Sequence, residues 1–262
     1  MCRFIGYLGE KALLMGALLV SPENSLIKQS KNATKGHFRV NADGFGMAWY
    51  NVEVSKGPAV FKSIQPAWND SNLMHLAKII ESKCFMGHIR ASTIGDVNKN
   101  NCHPFSYGEY TMVHNGTIDN FNKIRRSLMA QLSDELFLAI KGDTDSECLF
   151  FLIMEYVHFR GGMSLAKAME KAFEWVVNAQ NEDSCRLNIV ITNGVEMIAT
   201  RFISNGHEAL SLSYSRNEDD SVIIASEPLD DHLHEWHEVP TNHYLQIKNN
   251  AKNLKVIPFY SD

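Results

Sequence analysis

The order in which hydrophobic periods follow one another is the strongest constraint on how this chain folds. Alternation with a period of two predicts strands near 3–8 (RFIGYL), 45–51, 84–92 and 110–114. A second group of strands follows near 187–192, 196–202, 209–215, 221–226 and 243–248. Between the two groups apolar residues recur at three and four positions, predicting helices over 120–131, 145–158 and 163–179. The middle helix follows a Thr-Asp-Ser-Glu start suited to capping, and Ser164 suits the cap of the third. Strands, then helices, then strands again predict a layered α+β body. No internal repeat, low-complexity block or Pro/Gly-rich linker interrupts the chain, so residues 1–262 are expected to form a single domain.

With 262 residues, 45% of them hydrophobic and 21% charged, the chain is long enough and apolar enough to bury a full core. A formal net charge of -5 gives no basic footprint for nucleic acid or anionic lipid. No apolar run approaches the roughly 20 residues that span a bilayer, and the start of the chain lacks the pattern of a signal peptide. Five cysteines (Cys2, Cys84, Cys102, Cys148 and Cys185), an odd number without paired spacing, fit a reducing cytoplasm better than a disulfide framework. Cys84 and Cys148 fall in apolar patterns and read as packing residues.

Four stretches interrupt these patterns with glycine and polar residues: NADGFGMAWY (41–50), GHIRASTIG (87–95), VHNGTIDN (113–120) and GDTDSE (142–147). Asn115-Gly116 reads as a hairpin turn, since both residues tolerate positive φ. That is the default reading; the functional one is an oxyanion hole, with the Asn115 amide and the Gly116 N–H directed at a developing negative oxygen. Arg90 in an apolar strand is either half of an internal ion pair or a bidentate clamp for a substrate carboxylate. Asp145 is either a first-turn residue favoured by the helix dipole or a partner for a substrate ammonium. The DGFG segment (43–46) fits a tight turn or a glycine-lined wall and lacks the ending of a phosphate loop. His232, His234 and His237 lie close enough in sequence to suggest zinc, but read first as an exposed loop. Cys102 and His103 are sequence neighbours, which seldom have the geometry for mutual activation.

The start of the chain gives these residues a common purpose. Chain termini usually fray, yet Cys2 is followed at once by a predicted strand. Once Met1 is removed, Cys2 carries a thiol and a free α-amino group, a nucleophile and a base on one residue. Nucleophile, oxyanion hole, carboxylate clamp and ammonium clamp together match the needs of attack on a γ-glutamyl amide. No metal or organic cofactor is required.

The motifs Met-Cys-Arg, N-A-D-G-F-G, G-H-I-R, C-H-P-F, H-N-G-T-I-D-N and T-D-S-E, in that order over about residues 1–150, resemble the class II glutamine amidotransferases. These are N-terminal-nucleophile hydrolases. In the second half ITNG (191–194), ATR (199–201) and ASEPL (225–229) resemble their stand-alone members. The opening CRFIGYLG looks most like the γ-glutamyl hydrolase branch of ergothioneine biosynthesis. The resemblance implies a four-layer αββα sandwich with Cys2 as nucleophile and its amine as base. It implies Asn115 and Gly116 as the oxyanion hole, Arg90 for the substrate α-carboxylate and Asp145 for the α-ammonium, with Thr93 and His103 as pocket residues. Ala91 and Ile94 stand where members fused to synthase domains have Trp and His, which reshapes the pocket around the amide. The expected partner is a small γ-glutamyl substrate, with a homo-oligomer or a separate synthase subunit as further possibilities. A glutaminase subunit passing ammonia to that synthase, or a non-catalytic γ-glutamyl-binding protein, remain the alternative functions.

Overall fold

The first strand shows how the layers arise. In β1 (Arg3–Leu14) Phe4 and Leu8 point to one face, while Ile5 and Tyr7 point to the other, and all four are buried. A strand buried on both faces must lie inside a layered structure rather than on its surface. The computed structural model describes residues 2–33, 40–91, 95–206, 208–248 and 250–259.

After β1 come α1 (Gly16–Leu19), α2 (Leu26–Lys31), β2 (Phe45–Trp49), β3 (Ala59–Ser63), α3 (Ser71–Ala77) and β4 (Glu81–Ile89). The chain then crosses into β5 (Phe105–Tyr107) and β6 (Tyr110–Ile118). Four helices follow: α4 (Phe121–Met129), α5 (Asp134–Ala139), α6 (Asp145–His158) and α7 (Leu165–Gln180). The last strands are β7 (Cys185–Thr192), β8 (Glu196–Arg201), β9 (Ser213–Arg216), β10 (Val222–Ala225), β11 (Trp236–Glu238), β12 (His243–Lys248) and β13 (Asn250–Pro258).

Among the described residues these strands form two antiparallel sheets. One has the order β11-β9-β10-β1-β4-β2-β3, the other β13-β12-β8-β7-β6-β5. Three apolar clusters separate the layers. Ile5, Tyr7, Phe45 and Phe85 pack under α1 and α2 on the outer face of the first sheet. Phe4, Met86, Val113, Val190 and Met197 fill the space between the sheets. Ile189, Ile191 and Ile198 pack under α6 and α7 on the outer face of the second. The architecture is therefore the four-layer αββα sandwich.

Helix α6 is buried nearly all round, because it packs against the second sheet and against α4, α5 and α7. Thr144 caps it by accepting from the Glu147 N–H at 3.1 Å, and Ser164 caps α7 at Lys167. Several boundaries differ from the sequence pattern, among them β1, which runs on to Leu14, and β9, which starts only at Ser213; two of the differences bear on the site. The strand ending in VHNG does not turn at Asn115-Gly116: β6 runs on to Ile118, with Asn115 opposite Asn188 and Gly116 opposite Leu187. Glycine is needed there for contact rather than for a turn, since a Cβ would lie 1.8 Å from the Arg186 carbonyl oxygen. Strand β4 ends at Ile89, which places Arg90 just beyond it. The short edge strands β3, β5 and β11 and the short helices α1, α2, α3 and α5 carry too few residues for their period to be read, and the edge strand β13 is not anticipated from the sequence.

Candidate active site

Cys2 lies at the entrance to β1, a central strand paired on one side with β4 and on the other with β10. By strand alternation its side chain shares the inter-sheet face with Phe4. The Cys2 thiol rests on the residue after Arg90: the Ala91 N–H donates to Sγ at 3.4 Å, and Sγ lies 3.5 Å from the Ala91 carbonyl. Burial pushes the thiol pKa up; the Ala91 hydrogen bond and the positive charges of Arg90 and Arg3 oppose that shift.

Arg90 is itself buried, and its backbone is held by Gly44 and Asp43, whose O and N bond it at 2.8 and 3.1 Å. Gly44 has φ +107°, and a Cβ there would lie 2.7 Å from both Cys102 Sγ and the Ser63 carbonyl. This explains the glycine of NADGFG in both conformation and space. The guanidinium donates from Nη1 to the Asp96 carbonyl at 3.1 Å and from Nη2 to the Gly95 carbonyl at 3.2 Å.

The two sheets meet beside this corner. His88 of β4 bonds through Nε2 to the His114 carbonyl of β6 at 3.1 Å, one residue before Asn115. Asn115 is buried, and its side-chain amide makes no hydrogen bond to any described residue; Oδ1 is fully enclosed without a partner. Such a group is uncommon in a folded interior, where buried polar atoms usually find a partner. Three residues on, the Ile118 N–H donates to Asp145 Oδ2 at 2.8 Å, while Oδ1 accepts from the Ser146 N–H at 2.7 Å. Asp145 is thus a first-turn residue of α6 and also a buried carboxylate tied to β6. Its four lone-pair sites exceed these bonds.

His103 packs between the His88 ring (4.1 Å between centroids) and the Phe105 ring (4.6 Å), and neither of its nitrogens has a partner among the described residues. Burial drives the pKa values of His88, His103 and His114 down, that of His88 to about 3. For His88 this makes stability pH-dependent with a definite sign. The unfolded chain protonates this histidine near pH 6.5, whereas the folded state holds it neutral to about 3. Below 6.5 the unfolded state binds more protons, so stability falls with pH through that window and is unaffected above it. The expected contribution is about 1.4 kcal/mol per pH unit once well below 6.5. Urea midpoints at pH 7.5 and pH 5, compared at constant m, check it: the midpoint falls at pH 5.

Thr93 lies outside the described residues. Of the other residues picked out in the sequence, Cys2 and Arg90 meet at the ends of β1 and β4, Asn115 and Gly116 lie on β6 where β4 touches it, and Asp145 joins β6 from α6. His103 packs on His88 beside them. Two residues were not singled out by sequence reasoning. Arg3 Nε donates to Glu227 Oε1 at 2.6 Å in a fully buried ion pair, and Arg3 Nη1 donates to the Cys2 carbonyl at 2.9 Å. The available signal was an arginine at the start of an apolar strand together with the charged ASEPL motif.

The histidines near the end of the chain are arranged differently. His234 Nδ1 lies 2.6 Å from Asp230 Oδ2, and His237 Nε2 lies 3.6 Å from Glu235 Oε1. Among the described residues no group of three or more His, Cys, Asp or Glu side chains is placed to hold a metal ion. No helix among them is long and apolar enough to cross a membrane. Cys84 and Cys148 are buried in apolar clusters.

Comparison with known proteins gives concordant results. The family model for class II glutamine amidotransferases matches residues 24–208. The probable glutamine amidotransferase DUG3 of Saccharomyces cerevisiae is 35% identical, over 95% of this chain and 82% of its own length. The γ-glutamyl-hercynylcysteine sulfoxide hydrolase of Mycolicibacterium smegmatis is 26% identical over 95% of this chain and 96% of its own. A glutamine aminotransferase class-II domain protein from Silicibacter pomeroyi superposes with a TM-score of 0.70 at 25% identity, covering 99% of this chain and all of that one.

Proposed function

The chain belongs to the class II glutamine amidotransferases, and from that premise we propose that it hydrolyses a γ-glutamyl amide through a thioester on Cys2. It is an enzyme acting on γ-glutamyl amide bonds, and the placement of its side chains supports the following mechanism. Removal of Met1 frees the Cys2 α-amino group. Free α-amines titrate near 7.7–8.0, so at neutral pH a fraction is unprotonated and accepts the thiol proton, directly or through one water. Thiolate sulfur attacks the γ-carbonyl carbon. The carbonyl π pair moves to oxygen, where the Asn115 amide N–H and the Gly116 N–H donate to it. Collapse expels the amine, which takes the proton held by the α-amino group, and leaves the γ-glutamyl thioester. Water, deprotonated by the now free Cys2 α-amino group, attacks the thioester; glutamate leaves, and the α-ammonium returns the proton to the departing thiolate.

Arg90 is buried beside Cys2, with its guanidinium oriented by the Gly95 and Asp96 carbonyls, and its planar fork suits the substrate α-carboxylate. Asp145 retains acceptor capacity for the α-ammonium, and neutral His103 walls the pocket. The observation that carries this reading is the placement of Asn115, a buried residue whose side chain bonds to no described residue, on the strand that β4 touches one residue earlier.

The test is intact mass before and after incubation with 6-diazo-5-oxo-norleucine, followed by glutamate release from γ-glutamyl amides. Loss of Met1, one adduct on Cys2 and turnover by the isolated chain are expected. A processed Cys2 that takes no adduct overturns the reading in favour of a γ-glutamyl-binding protein. Adduct formation with turnover only in the presence of a synthase assigns the chain as a glutaminase subunit.

A further inference from the structure

We infer that the buried Arg3–Glu227 pair is a clamp that orients Cys2 for catalysis, making Glu227 a positioning residue. This rests on the reading of Cys2 as nucleophile. An N-terminal nucleophile faces a particular difficulty: its base is its own α-amino group, attached to the end of the chain where backbone order is ordinarily lowest. Sγ and the amine nitrogen hold a useful mutual geometry only if the backbone of residue 2 is fixed from its C-terminal side, since nothing precedes it after processing.

The structure supplies that restraint from a part of the chain more than 220 residues away. Arg3 Nη1 donates to the Cys2 carbonyl at 2.9 Å, fixing the plane of the peptide that follows Cys2. Arg3 Nε donates to Glu227 Oε1 at 2.6 Å, and the two side chains are 3% and 0% exposed. Next to Glu227, Ser226 bonds the following residue twice: its Oγ accepts from the Phe4 N–H at 3.0 Å and its N–H donates to the Phe4 carbonyl at 3.1 Å. Residues 226 and 227 thus hold residues 2 to 4 through backbone and side-chain bonds together.

The direction of the clamp matters. Phe4 faces the space between the sheets and Ile5 the outer helices, so Arg3, two residues before Ile5, extends toward the outer face. The pair therefore restrains Cys2 from behind the sheet, leaving the inter-sheet side for substrate. A fully buried ion pair is also a poor choice for stability alone. Desolvating both charges costs about what their attraction returns, and apolar replacements of similar volume are often as stable. Fixing one geometry is what such a pair does better than an apolar contact.

The decisive comparison uses three variants of the processed enzyme: Glu227→Gln, Glu227→Asp, and the double replacement Arg3→Met with Glu227→Leu. The double variant removes both charges together, so no unpaired charge stays buried. Steady-state kinetics with a γ-glutamyl amide and urea unfolding are measured on each. Misplacement of a reacting group by about 1 Å costs on the order of 100-fold in rate. The expected result is a double variant that unfolds near the wild-type urea midpoint, with kcat lowered about 10- to 100-fold and KM within about threefold. The same loss is expected in its labelling rate with 6-diazo-5-oxo-norleucine. Glu227→Asp should recover part of the rate that Glu227→Gln loses. Wild-type kcat in a stably folded double variant overturns the clamp and leaves the hydrolase reading intact. If the double variant does not fold, Glu227→Gln decides: a kcat loss at unchanged KM in folded protein supports the clamp, and wild-type kcat overturns it. Failure of wild-type Cys2 to take the label overturns the nucleophile assignment itself, and the clamp with it.

Discussion

Cys2→Ala protein, processed at Met1, will release glutamate from no γ-glutamyl amide at a measurable rate, a loss of at least about 10⁴-fold in kcat. The magnitude follows from what is removed. Without sulfur there is no covalent intermediate, and water would have to attack the amide directly, aided only by the oxyanion donors and by binding. The fold should survive. Cys2 Sγ makes two long contacts, 3.4 and 3.5 Å, both to Ala91, and its truncation leaves β1 paired with β4 and β10. Unfolding free energies from urea titration should therefore lie within about 1 kcal/mol of wild type, and the diazo-ketone adduct should vanish from the mass spectrum. Persistence of the adduct at another residue would remove Cys2 from the mechanism.

Asn115→Ala will lower kcat by about 100- to 1000-fold while KM moves only a few-fold. The split between the two constants is the informative part. A donor aimed at the oxygen of the tetrahedral species contributes little to ground-state binding, because the negative charge does not exist until sulfur has added. A donor that merely held the substrate carbonyl would raise KM instead. Stability gives an independent check. The amide makes no hydrogen bond to any described residue and Oδ1 is enclosed without a partner, so truncation removes an unsatisfied polar group. The variant should be as stable as wild type or slightly more so. A clear fall in the urea midpoint would mean that the amide has a structural partner.

Much of this was legible in the sequence because it depends on local period and local chemistry. The long strands and α4, α6 and α7 were readable from spacing, and the caps at Thr144 and Ser164 from residue type. The Asn-Gly of β6 was not, since a turn and a strand that needs glycine for close approach look alike until the Arg186 carbonyl stands against the missing Cβ. The edge strands β3 and β13 were not readable either. An edge strand leaves one row of backbone groups unpaired and its side chains half covered, so its alternation is weak: β3 (AVFKS) buries none of its residues.

Amino-acid sequence by itself determined the inventory: a cysteine one residue from the start, an Asn-Gly pair, Arg90, Asp145, and an order of strands and helices compatible with two sheets between helical layers. Family resemblance in those motifs was also present in the linear text. Tertiary structure alone decided which neighbours each residue has. It brought Cys2 against Ala91, joined β4 to β6 at His88 and the His114 carbonyl, and tied Asp145 to Ile118. It also paired Arg3 with Glu227 across more than 220 residues. The reason is physical: secondary-structure period is written in neighbours a few residues apart, whereas a buried charge is paired by whichever strand the sheet order places beside it, and that order is set by packing of the whole chain.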